Sequence, residues 1–305
     1  ESINELGVLA NMLMNVQLNN ADKCGLAPAL GFGDDPRYMS NIGHGIFEST
    51  TNNLTFSYAM PIIGILGSGT DKYIPIGDFY ALRYELTVDS FANFLLNPTA
   101  KVNGLTLSEF EFCGQVIELD GSSQALIEQA NPNMIHIRSQ SYRTATNFLS
   151  ASSSGLQDLL IGTRVSSLKS IFATFSPSNV AEGKFGSVCP NLGQGTCFVL
   201  AGQNLPQRTL NPSSHPGDCY MELQKSLNAL SYAQFNGSVN KVAYYIGSTA
   251  NGLLQAYNAT KSLASTLAKP SNFVLGVNTE ICAHRNSLLS GININSAPSF
   301  LRCQI

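Results

Sequence analysis

The residue types able to do chemistry are few, and each grouping of them lacks a part that its chemistry requires. Gly64-Ile-Leu-Gly-Ser-Gly-Thr70 carries the glycines of a phosphate-binding loop. Such a loop needs a Lys before its Ser or Thr to reach the terminal phosphates, and a helix after it. Here Gly69 directly precedes Thr70, and Lys72-Tyr-Ile-Pro-Ile76 reads as extended, so a glycine-rich loop between strands is expected. Gly33-Asp34-Asp35 matches the metal-binding tripeptide of polymerases, but Pro36 follows it and a turn accounts for the pattern.

Four histidines, His44, His136, His215 and His284, are available as bases or ligands. Cys282-Ala-His284 and His215-Pro-Gly-Asp-Cys219 could each offer two ligands to a metal. Structural zinc sites use paired knuckles of the CxxC or HxxxH kind, and the sequence has none. Glu109 and Glu111 share a strand face in the manner of two glycosidase acids, which an exposed polar face explains equally well. The many serines include no G-x-S-x-G elbow. The expectation is therefore no enzyme: no catalytic residue, no cofactor and no metal.

Seven cysteines, at 24, 113, 189, 197, 219, 282 and 303, are scattered and odd in number, so reduced thiols are expected. Three glycosylation sequons begin at Asn53, Asn236 and Asn258, as chance would give in a chain with 28 Asn. The longest near-apolar run, Tyr58 to Gly67, holds a Pro and two Gly and is too short to span a bilayer. No signal-peptide pattern opens the chain. Charged residues are 12% of the 305, against about 25% in ordinary domains. With 17 Lys plus Arg and a net charge of -3, there is no basic footprint for sequence-specific nucleic acid binding.

The elements that would position these residues are mostly strands. Glu5 to Leu18 puts Leu6, Leu9, Leu13 and Val16 on one helical stripe, and a long loop follows from Asn20 to Asn41. Phe79 to Asp89 alternates Leu82, Tyr84, Leu86 and Val88 against Arg83, Glu85, Thr87 and Asp89, which predicts a half-buried strand. Leu107 to Asp120 predicts a second, with Phe110, Phe112 and Val116 on its apolar face. Leu86 and Phe112 are expected in a sandwich core. Gly121 to Ala130 reads as a short helix stopped by Asn131-Pro132. Strand character resumes over 134–147 and 157–175, residues 178–217 read as loop with four prolines, and Asp218 to Leu230 reads as a helix with Met221, Leu227 and Leu230 on one side. Ser271 to Ile281 and Ser287 to Ile305 predict closing strands. Few short helices between strands fit an all-β sandwich or jelly roll.

The succession of segments then resembles a family. The helix from Glu5 to Gln17 precedes Phe56-Ser-Tyr-Ala-Met-Pro-Ile-Ile-Gly-Ile-Leu-Gly67, Lys72-Tyr-Ile-Pro-Ile-Gly77 and Leu82-Arg-Tyr-Glu-Leu-Thr87. Ser139-Gln-Ser-Tyr-Arg143, Val165-Ser-Ser-Leu-Lys-Ser-Ile-Phe-Ala-Thr-Phe175 and Leu288-Leu-Ser-Gly-Ile-Asn-Ile-Asn-Ser-Ala-Pro298 follow. This order resembles the double jelly-roll major capsid proteins of tailless icosahedral DNA viruses, most closely those of polinton-like viruses, virophages and lipid-containing phages. The resemblance covers most of the chain and rests on hydrophobic pattern and short phrases, not on a catalytic signature.

What the resemblance implies is a first jelly roll over 1–131 and a second, with long loops, over 132–305. Family members place several strands before this helix, which implies either that residues preceding Glu1 belong to the first roll or that this roll is abbreviated and lacks its N-terminal strands. The implied function is structural: homotrimers form pseudo-hexameric capsomers that build the shell of a virion inside the host cell. The implied partners are other copies of the chain, neighbouring capsomers, minor capsid or penton proteins and, in some branches, an internal membrane. The loops at 20–45 and 178–217 are expected to meet neighbours, so that deleting 185–212 would harm assembly more than folding. The rival reading is a secreted carbohydrate-binding or adhesin sandwich, favoured by the sequons and by aromatics such as Tyr244 and Tyr245.

Overall fold

Alternation over Ser299-Phe-Leu-Arg-Cys-Gln304 sets the centre of the fold, burying Ser299, Leu301 and Cys303 and leaving Phe300, Arg302 and Gln304 partly open. The computed structural model describes residues 3–6, 9, 12, 62, 74–78, 82–88, 106–132, 140–149, 155–175, 195–212, 214–227, 273–280 and 291–304. Among these, strands β1 (Leu156–Ile161), β2 (Ser170–Ala173), β3 (Gly195–Leu200), β4 (Gln203–Leu210), β5 (Leu275–Asn278) and β6 (Ser299–Gln304) pair only antiparallel. Two short helices accompany them, α1 (Gly121–Ala130) and α2 (Pro216–Ser226). The architecture of the described residues is all-β.

One sheet has the order β1-β6-β3-β4 and the other is the ribbon β2-β5. In β1, Gln157, Leu159 and Ile161 turn inward, and Leu159 sits opposite Leu301 of β6. On the other side of β6, Phe198 of β3 sits opposite the same Leu301. β3 is buried along nearly its whole length because it lies inside the sheet and both its faces are covered. A two-residue turn at Ala201 and Gly202 joins it to β4. Both residues have positive φ (50° and 80°), the sign that the tight hairpin turn matching strand twist requires.

The core lies between the inner face of the four-stranded sheet, the β2-β5 ribbon and α2. Phe198, Leu200, Leu210, Leu301 and Cys303 meet Phe273, Leu275 and Val277, with Cys219 and Leu223 of α2 closing over them. α2 approaches β5 very closely at Gly276. A Cβ there would fall 2.9 Å from Leu223 Cδ1 and collide with Ser226 Oγ, so any side chain at 276 would force Leu223 and Ser226 to shift. Leu168 and Ile292 add a bridge with hydrogen bonds in both directions, at 2.9 and 3.1 Å.

Several expectations from sequence hold. The helix over 121–130 forms as read: Asp120 caps its start by accepting from the Ser123 N–H at 2.8 Å, and Asn131 ends it before Pro132. Strands form within 157–175, 271–281 and 287–305. Leu6, Leu9 and Met12 have helical backbone, and Met12 packs against the core described above. Leu13 and Val16 lie outside the described residues.

Others are corrected. Residues 82–88 and 106–120 form no ladder, and Leu86 (44%) and Phe112 (56%) are exposed. Alternation makes a strand only where a partner takes up the hydrogen bonds and covers the apolar face, and among the described residues neither segment has a partner strand. The described part of 134–147, residues 140–147, is likewise without a ladder. In α2, Cys219, Leu223, Gln224 and Ser226 are buried and Leu227 packs against the core as expected, but Met221 is exposed, and Leu230 lies outside the described residues. Small residues let the helix lie against β5, a requirement that hydrophobicity alone does not report.

The loop reading of 178–217 fails over its second half. β3 and β4 occupy 195–210, so deleting 185–212 would remove an inner strand and destroy the sandwich. Pro206 is accommodated because β4 is an edge strand whose register shifts between Thr196 and Phe198, where no ladder donor is needed.

Candidate functional site

Few of the candidate residues fall within the described structure. The glycine-rich stretch 64–70, Gly33-Asp34-Asp35, His44, His136, Cys282, His284, the three sequons, Tyr244, Tyr245 and the segments 20–45 and 178–194 lie outside the described residues. His215 and Cys219 are described and do not converge. His215 is exposed at the start of α2 and contacts Ser214 Oγ at 2.8 Å through Nδ1, whereas Cys219 points into the core. Glu109 and Glu111 are both exposed on a segment without ladder pairing. Among the described residues, no three His, Cys, Asp or Glu side chains gather to hold a metal ion, and no helix is long and apolar enough to cross a membrane.

The structure instead builds a polar row that sequence reasoning missed. On the outer face of the four-stranded sheet, register sets Asp158 of β1 and Cys197 of β3 on either side of Arg302 of β6. Arg302 donates to the Asp158 carboxylate twice, from Nε to Oδ1 at 2.7 Å and from Nη2 to Oδ2 at 2.8 Å. This fork-to-fork geometry is the strongest form of ion pair between two side chains. These hydrogen bonds hold the Asp158 carboxyl below its ordinary range and raise Arg302. Burial pushes the Cys197 thiol up, against a smaller opposite pull from Arg302. The signal was present in the strings Leu-Gln-Asp-Leu-Leu-Ile and Ser-Phe-Leu-Arg-Cys-Gln, but only register could bring the Asp and the Arg together.

The thiols of Cys197 and Cys303 stand one residue apart in register and cannot join. Cys303 pairs with Thr196 on the inner face while Cys197 pairs with Arg302 on the outer face. Their Cβ vectors diverge, which a disulfide does not tolerate. Among the described residues, Cys113, Cys197, Cys219 and Cys303 form no disulfide, and of these only Cys113 is exposed. Thr196 Oγ1 donates to the Arg302 carbonyl at 2.7 Å and contacts Cys303 Sγ at 3.7 Å, so the buried hydroxyl is satisfied.

A second ion pair closes the ribbon. Lys169 Nζ lies 3.3 Å from Glu280 Oε1, whose side chain is almost wholly buried. The contact lacks hydrogen-bond geometry, leaving Oε1 without a hydrogen-bond partner. Beside it, the Thr279 N–H donates to the Lys169 carbonyl at 3.0 Å and the Thr279 hydroxyl donates to that of Leu168.

Exposed apolar side chains are the other outstanding feature. Phe110, Phe112, Val116 and Leu119 are open on one segment, Leu82, Tyr84, Leu86 and Val88 on another, and α1 buries none of its residues. Leu156 and Leu160 flank Asp158 on the outer face of β1 and are about half exposed. No family model matches this sequence, and neither a curated protein nor a solved structure matches it.

Proposed function

We propose that this chain is a shell-forming structural protein of the double jelly-roll type, the major capsid protein of a tailless icosahedral DNA virus. It acts by trimerising into pseudo-hexameric capsomers that tile the virion. The reading rests on the resemblance over the segments quoted above and on one structural observation, the pairing order in residues 156–304.

A jelly roll winds an antiparallel ribbon about itself, so its first strand pairs with its last and its second with its last but one. Here β1 pairs with β6 and β2 with β5, while β3 lies on the far side of β6. Nested pairing of this order, in two sheets facing one core, supports a roll for the second half of the chain. β4 departs from the winding: the tight turn keeps it beside β3 in the same sheet, as an added edge strand.

The surface supports assembly. With 12% charged residues, the chain has few groups whose burial would need a partner, which suits contact with identical neighbours. The open apolar residues at 82–88 and 110–119 are then sites for contact between copies. A secreted sandwich held by disulfides finds less support, since none of the four described cysteines forms a disulfide. Negative-stain electron microscopy of the purified protein tests the proposal. Three-fold capsomers with a hexagonal outline are expected; a uniform field of single small particles would overturn it.

A further inference from the structure

We draw no further inference here: the strongest candidate, the side-chain cluster of Lys169, Asn278 and buried Glu280 at the end of the β2-β5 ribbon, brings an amine, a carboxamide and a carboxylate to one place in the chain, but register sets Lys169 beside Thr279 and Asn278 beside Ser170 on opposite faces, so the amine and the carboxamide do not converge.

Discussion

Arg302 and Asp158 tie the edge strand β1 to β6 by side chains as well as by backbone, and the pair makes stability depend on pH in a definite direction. The Asp158 carboxyl titrates lower in the folded protein than in the unfolded chain, because Arg302 hydrogen-bonds its charged form. Its contribution is therefore complete above the unfolded value of about 3.9 and is lost as pH falls through the folded value. In chemical denaturation, Asp158→Asn should be less stable than wild type at neutral pH, and the gap should close as the buffer is taken below about pH 4. The loss at neutral pH should be small, since a third of each side chain is open to solvent. A gap independent of pH would mean that the pair contributes through packing alone. The cysteines give a second test at this scale. Cys197 and Cys303 are buried and their thiols are pushed up by desolvation, so a thiol reagent should modify Cys113 in the native protein well before either. Peptide mapping after a short pulse of iodoacetamide reads the order directly, and equal labelling of Cys113 and Cys303 would refute the burial of β6.

At the scale of the elements, α2 and β5 form the contact on which the core closes. Leu223 is fully buried beneath the helix, and Leu223→Ala should cost about 2 to 5 kcal/mol by urea denaturation. Gly276→Ala should cost about 1 to 3 kcal/mol, because its methyl group must displace Leu223 and Ser226. A neutral outcome at Gly276 would show that the helix can move away from the strand. The same elements explain what the sequence could reveal. α1 was legible because its stop signal, Asn131-Pro132, is local. β6 was legible because its own alternation is clear. β3 was passed over because Thr-Cys-Phe-Val-Leu has no alternation, although a short apolar run between Gly195 and Gly202 is how a strand covered on both faces reads. Residues 82–88 mislead in the opposite sense, since alternation reports which side chains could share a face and not whether a partner strand exists. The Asp158–Arg302 row was not legible, because its members are separated by most of the second half of the chain and meet only through register.

For the whole molecule, the central claim is assembly, and it assigns the exposed apolar side chains a purpose. Leu86→Ala and Phe112→Ala should change the unfolding free energy of the isolated chain by less than about 0.5 kcal/mol, as surface positions do. If those segments meet other copies, the same substitutions should weaken oligomers well beyond that, since buried aromatic anchors dominate interfaces. Obligate interfaces commonly bury about 2,000 Å² or more, enough to keep subunits together at micromolar concentration. Sedimentation velocity of the full-length protein at micromolar concentration, over a range of salt, is the most direct measurement. The account predicts a species of three chains of 32.7 kDa each, going on to larger shells under some salt condition. A single 32.7 kDa species that stays monomeric under every condition would contradict it.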